Sequence, residues 1–560
     1  MAEVSRLFQQ AVSHQHHGQA NEAVRLYRQL LSRDPNHAEA HNNLGCVLLS
    51  QGKAREAALH FVRSLTLLPQ LCDDFASIAA LLADVNPALR EACKQAEEAW
   101  PTRLPLPESS GLSGIAADVL LRHVLRSTPV RDLALERLLT SIRFSLLHAT
   151  IRAGGYDRAD QDLLGFASAL AQQCFINEYV FATTADEAKQ AERLKDELAE
   201  AITAGAPVAP LPLLTVATYF PLHNLPGAQT LLDRNWPAPV SDVLTQQIKE
   251  PRQERLYRDV IPRLTAVEDE VSLQVQQQYE ENPYPRWVYA ASAVPVTALN
   301  DHLRAAFPTV PFRPLEKDRV DILVAGCGTG RHPIEVARLY ENSRVLAVDL
   351  SMSSLCYAKR KTPPDVADRI EYAQADILKL GMLDRCFDVI DASGVLHHMA
   401  DPFAAWRTLL TSLRPHGFMR VGLYSEIARR NISINPARAF IAERGYASTA
   451  DDIRRCRQDL LNSALKSVAT AGDFFSTSEC RDLLFHIQER QLTIPDIESF
   501  ITANGLRFIG FEFKPTLQHH YRQLFSKAGW PMTDLKRWHD FELKNPDLFI
   551  LMYQFWVQKP

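Results

Sequence analysis

The spacing of apolar residues along this chain changes period once, and the change divides it. Up to about residue 205 apolar positions recur every three or four residues, the spacing of helices with one buried face. Ile115, Val119, Leu120, Val124 and Leu125 keep that spacing, as do Leu133, Leu135, Leu138, Leu139, Ile142 and Leu146. The charged stretch 184–204 reads as a further helix, with Thr184 or Asp186 as its cap. Residues 206–240 are rich in proline and predict irregular structure. From about 318 short apolar runs alternate with helical segments. Ile322-Leu323-Val324-Ala325, Val345-Leu346-Ala347-Val348, Ile370-Glu371-Tyr372-Ala373, Phe387-Asp388-Val389-Ile390 and Phe418-Met419-Arg420-Val421-Gly422-Leu423 read as strands. Helical patterns around 334–340, 353–361 and 403–413 separate them. Such alternation predicts an α/β fold, a doubly wound parallel sheet with helices on both faces. Runs near 508–513 and 548–557 supply two more strands, seven in all, and 425–492 reads as a long, mostly helical insertion after the fifth.

The helical part contains a repeat. A shift of 34 residues superposes Gly18 on Gly52, Ala23 on Ala57, Tyr27 on Phe61 and Pro35 on Pro69. Each pair has a job in a helix–turn–helix unit: glycine in the turn, alanine where helices approach, an aromatic between units, proline past the second helix. Leu44-Gly45 adds a contact pair on the first helix of the second unit. Residues 4–71 thus resemble two tetratricopeptide repeats (TPR), followed by a degraded third around 73–101 whose Ala92, Ala96, Trp100 and Pro101 suit a capping helix. Two repeats are few for an independent solenoid, so they should pack on the helical region C-terminal to them. A proline-rich boundary at 101–107 then gives three regions: TPR-like repeats at 4–103, a helical middle without chemical motifs at 104–269, and the α/β region at 270–560.

Composition is globular, with 46% hydrophobic and 23% charged residues in 560. A net charge of −5 opposes a nucleic-acid partner, which usually brings a basic excess. The nine cysteines are scattered without a C-x-x-C pair, so no metal-site spacing is present and reduced thiols are expected. No apolar run is long enough to span a membrane and no leader pattern opens the chain, which together predict a cytoplasmic protein.

The chemistry gathers at strand ends. Gly326-Cys327-Gly328-Thr329-Gly330 comes directly after the first strand, where a sharp turn and close approach to a ligand need residues without Cβ. Its G-x-G-x-G spacing is neither the dinucleotide fingerprint nor a P-loop. Asp349, ending the second strand, can accept two hydrogen bonds from ribose hydroxyls, or cap the next helix. Asp376 after the third strand can accept from an adenine amino group while Ile377 packs on the ring, or act as a cap.

On these residues the stretch 318–424 resembles a class I S-adenosylmethionine-dependent methyltransferase. The resemblance implies S-adenosylmethionine as cofactor, a Rossmann-like sheet whose last strand is antiparallel, and cofactor contacts from Gly326, Cys327, Gly328, Thr329 and Gly330. It implies further contacts from Asp349 with its neighbour Leu350, and from Asp376 and Ile377, and it places Asp391, Ala392 and Ser393 near the methionine end. One departure is Val324, two before the first glycine, where the family often has an acidic residue; the cofactor's ammonium must then be held otherwise. His332 either reaches the cofactor carboxylate or packs the helix start. His397, His398, Tyr424 and Glu426 are candidate proton acceptors, needed for a hydroxyl or carbon nucleophile more than for a neutral amine. The aromatic segment 278–287 either lines the substrate pocket through Tyr279, Tyr284 or Trp287 or is an ordered linker packed by its aromatics.

Three functions fit: methyl transfer to a protein bound through the TPR arm; methyl transfer to a small molecule such as a quinone, lipid or metabolite; and a non-catalytic scaffold with a relic fold. A nucleic-acid methyltransferase is disfavoured, since no Asn-Pro-Pro-aromatic motif comes after the fourth strand.

Overall fold

A computed structural model of the chain describes residues 2–71, 81–103, 111–153, 161–290, 296–431 and 434–560. They form two compact units: residues 1–252 with 287–292 and 474–477, and residues 253–286 with 293–473 and 478–560.

The first unit is helical. It opens with α1 (Ala2–His16), α2 (Ala20–Arg33), α3 (Ala38–Ser50) and α4 (Ala54–Leu67). Gly18 and Gly52 turn the chain within each pair in the left-handed region, φ +72° and +75°. Tyr27 and Phe61 are buried at equivalent places. Phe61 packs over Gly45, where a Cβ would lie 3.0 Å from its ring. The helix Pro87–Ala99 buries Ala96. The first part of the degraded third repeat and most of the proline-rich boundary lie outside the described residues. One continuous core runs from Leu7 to Ile248, so the repeats and the helical middle share it, as a short solenoid requires.

The irregular structure expected at 206–240 is instead largely helical: Pro210–Ala217, the 3₁₀ turns Leu222–Asn224 and Ala228–Asp233, and Ala238–Leu244. Pro210 and Pro239 sit in first turns, where a missing N–H interrupts nothing. Of the two cap candidates, Thr184 caps the helix Ala185–Thr203 in a capping box with Glu187, and Asp186 lies in the first turn. Glu187 also meets Arg143, at 3.1 Å and with both side chains wholly buried, and accepts from Tyr219 Oη at 2.7 Å.

The second unit contains the expected seven strands: β1 (Val320–Ala325), β2 (Ser343–Asp349), β3 (Ile370–Gln374), β4 (Phe387–Ser393), β5 (Leu413–Leu423), β6 (Arg507–Phe511) and β7 (Tyr553–Gln558). Their order is β3-β2-β1-β4-β5-β7-β6, with β7 antiparallel to both neighbours. The direction of winding reverses between β1 and β4, which opens a crevice at their carboxyl ends. Between β5 and β6 come the helices Glu426–Asn431, Ile434–Arg444, Ala450–Leu461, Thr477–Phe485 and Ile494–Ala503. Among the described residues no helix is long and apolar enough to cross a membrane.

Removing Arg143 alone would strand a buried carboxylate. Arg143→Met should therefore destabilise the first unit by about 3–5 kcal/mol, read as a lowered first thermal transition. Adding Glu187→Gln should recover part of the loss.

Candidate active site

The crevice is built on the glycine turn. Gly326, Gly328 and Gly330 all take left-handed φ, +73°, +52° and +87°. A Cβ on Gly326 would lie 2.5 Å from Val395, one on Gly328 2.8 Å from the Tyr284 carbonyl, and one on Gly330 would collide with Ala358. The N–H groups of Gly326 and Cys327 both donate to Val348 O at 2.9 Å, tying the turn to β2. Gly330 is the N-cap of the helix Arg331–Leu339, with Pro333 in its first turn.

Asp349 Oδ2 accepts from Gly328 N–H at 2.8 Å and Oδ1 from Ser351 N–H at 2.9 Å. The helix Met352–Lys361 is capped by the Ser351 hydroxyl, so Asp349 is not its cap. Burial pushes the Asp349 carboxyl up to about 6, against the pull of those N–H bonds. Asp376 does act as a cap: Oδ1 accepts from Leu378 N–H at 3.0 Å at the start of the turn Ile377–Met382. Its Oδ2 is buried beside the Ser272 hydroxyl, and burial raises the carboxyl against the pull of Leu378 N–H and Ser272.

These elements enclose a cavity of about 320 Å³. Its floor is Gly326, Cys327, Gly328 and Thr329, with Asp349, Leu350 and Ile377 on one side and His332 and Ser393 on the other. Across it lie Val271, Ser272, Val275 and Tyr279 of the helix Glu270–Glu281, then Tyr284 and Pro285. Four expected contacts do not line it. Gly330 sits beneath the helix start, Ala392 is fully buried in the sheet, Asp376 is represented by its neighbours Ala375 and Ile377, and Asp391 is bonded to His332. Trp287 belongs to the first unit. Glu426 pairs with Arg430 away from the cavity.

Of the histidine pair, His397 is wholly buried, and neither ring nitrogen finds a partner among the described residues. Burial pushes it well down, which keeps it neutral, and it does not reach the cavity. His398 does, beside Tyr424 and Asp482. His398 Nδ1 lies 3.0 Å from the Gln488 carbonyl. A carbonyl only accepts, so Nδ1 carries a proton, and in the neutral ring Nε2 holds the lone pair. Tyr279 Oη donates to Asp482 Oδ1 at 2.6 Å. His486 Nδ1 accepts from Gln488 N–H, which places its proton on Nε2, 3.2 Å from Tyr279 Oη. Burial raises the Asp482 carboxyl and pushes His486 well down.

The ligand atoms of His398, Asp482 and His486 lie within 4.8 Å of one another, close enough to surround a metal ion. Two features oppose it. The imidazoles stack 3.7 Å apart at 22°, so their planes meet only well beyond coordination distance of the ring nitrogens. The His486 lone pair is already taken by a backbone N–H. Asp482 and His486 carried no sequence signal: they lie more than 80 residues beyond the histidine pair, inside the insertion.

The donor set suits an adenosyl ligand. A carboxylate ends β2, apolar Ile377 and Val275 flank it, Ser272 lines the wall, and the turn below admits no side chain. Residues 323–421 match the family described as methyltransferase domain, and residues 26–58 the tetratricopeptide repeat. An uncharacterized protein of Synechococcus sp. is 28% identical over 298 residues, 50% of this chain and 71% of that protein. The 27-O-demethylrifamycin SV methyltransferase of Amycolatopsis mediterranei is 33% identical over 102 residues, 18% of this chain and 37% of that enzyme. The structure of PKMT2 from Rickettsia typhi in complex with AdoHcy shares 18% identity at a TM-score of 0.33, over 48% of this chain and 54% of that one. This chain thus spans about half the length of that structure. The chain carries a class I S-adenosylmethionine-dependent methyltransferase domain, with tetratricopeptide repeats before it. S-adenosylmethionine is the cofactor of that domain.

An ionised Asp349 offers more acceptors to ribose hydroxyls than a protonated one. Because its carboxyl titrates near 6 rather than 3.8, cofactor affinity should fall between pH 7 and pH 5, approaching tenfold per pH unit at the acid end. Calorimetric titration with S-adenosylhomocysteine reads this, and Asp349→Asn should bind weakly with a flat profile.

Proposed function

We propose that this protein methylates a hydroxyl group on its acceptor, with His398 as general base. The observation that carries this reading is the His398 lone pair at the cavity wall, its tautomer set by Gln488. S-adenosylmethionine, when bound, supplies a methyl group already activated on a sulfonium. The chain's own residues then have three tasks. Asp349, Ile377 and the Gly326–Gly330 turn hold the adenosine and the backbone of the cofactor. Tyr279, Tyr284 and Tyr424 enclose the acceptor and exclude water. His398 Nε2 takes the proton that the acceptor oxygen gives up as it gains the methyl. The imidazolium so formed lies near Asp482, whose charge it complements.

A hydroxyl acceptor accords with the relative that methylates 27-O-demethylrifamycin SV, whose name records an oxygen target. The repeats favour a protein that carries or presents this hydroxyl, since such repeats form docking surfaces for polypeptides. A scaffold without catalysis has no use for a histidine base set beside an enclosed pocket.

His398→Ala should lower kcat about 10²–10⁴-fold while leaving S-adenosylhomocysteine affinity unchanged. The measurement is release of S-adenosylhomocysteine across a panel of phenols, alcohols and amines. Equal turnover by wild type and variant on the best acceptor would rule out the base.

A further inference from the structure

The acidic residue expected at position 324 is valine, yet a carboxylate stands at the same level of the sheet. Val324 pairs in register with Asp391 on β4. Both Asp391 oxygens are occupied. Oδ1 accepts from Ser393 Oγ at 2.7 Å and from Ser393 N–H at 3.1 Å. Oδ2 faces His332 Nε2 at 2.8 Å and Arg420 Nη1 at 3.3 Å. Arg420 in turn donates through Nε to Glu512 at 2.7 Å, and Glu512 accepts from Trp556 Nε1 at 3.0 Å.

Acidic and basic side chains thus alternate in the order Glu512, Arg420, Asp391, His332. Asp391 and Arg420 are nearly buried, whereas the His332 side chain keeps a third of its surface exposed. His332 alone of the four reaches the cavity. A carboxylate partner fixes a proton on Nε2, and among the described residues Nδ1 takes no hydrogen bond from the protein. Backed by Asp391 and open on the cavity side, His332 can present Nδ1 as a donor to an anion there. It also lies in the first turn of the helix Arg331–Leu339, whose N–H groups add positive potential. An anion at this wall completes the alternation.

We propose that His332, held by Asp391 and Arg420, recognises the α-carboxylate of the cofactor's methionine end. The inference rests on the cofactor reading and adds the group that selects the amino-acid head. Asp391 acts as a positioning residue: its oxygens are filled and it makes no cavity contact.

The test compares two ligands by calorimetry on the full chain. S-adenosylhomocysteine carries the amino-acid head; 5′-methylthioadenosine keeps the adenosine and thioether without it. His332→Gln retains a donor toward Asp391 but removes the Nδ1 donor. It should weaken S-adenosylhomocysteine about tenfold, or 1.4 kcal/mol, and leave 5′-methylthioadenosine within twofold. Asp391→Asn, with a thermal melt to confirm folding, should show the same selective loss. Equal weakening of both ligands, or none, would overturn the proposal and leave His332 as a packing residue. Binding of neither ligand by wild type would overturn the cofactor reading itself, a separate outcome.

Discussion

The site depends on one steric constraint, the turn Gly326–Gly330 pressed from three sides. Val395, after β4, closes on Gly326; the Tyr284 carbonyl closes on Gly328; Ala358, in the helix after β2, closes on Gly330. No side chain fits at any of the three, and the backbone there adopts left-handed angles that other residues rarely take. This crowding brings the ends of β1, β2 and β4 together with the segment before the sheet. The cavity above the turn, the exposure of Asp349 to it and the position of His332 at its edge all result from that packing.

Three buried carboxylates around this cavity show how neighbours decide a charge. Asp349 faces backbone N–H groups but no cation, and burial raises its carboxyl to about 6. Asp391 is more deeply buried, yet His332 and Arg420 hold it well below the usual carboxylate range. Asp482 accepts from a tyrosine hydroxyl and is raised by burial. The same side chain thus becomes a titratable group at the cavity, a fixed anion and a hydrogen-bond acceptor beside His398. Burial is common to all; the partners differ.

The cofactor side was legible in the sequence because its determinants are local. A glycine turn must directly succeed a strand, and an aspartate at the next strand end lies close by in the chain. The repeats were legible for a related reason: Gly18 and Gly52, or Tyr27 and Phe61, answer to one geometry repeated. The prolines at 206–240 suggest irregular structure, yet Pro210 and Pro239 stand in the first turns of helices, and composition alone does not distinguish the two. Asp376 presents a finer case, since the cap and ligand readings share one residue and only its second oxygen, which the cap does not use, separates them.

The wall proposed to face the acceptor was legible only in part: Tyr279, Tyr284, His398 and Tyr424 stand out in the sequence, Asp482 and His486 do not, and the reason is topological. Tyr279 comes from before the sheet, His398 from after β4, and Asp482 and His486 from the insertion after β5. No periodicity links them, and their partners become evident only through hydrogen bonds that cross some 90 to 200 residues of chain. The histidine pair illustrates it. Adjacent in sequence and alike in composition, His397 is fully buried against Tyr424 while His398 turns to the cavity, its Nδ1 proton placed by a carbonyl of Gln488. A sheet of this kind fixes where the methyl donor sits through its strand ends. The wall proposed to meet the acceptor comes instead from segments outside the strands, which can change without disturbing those ends.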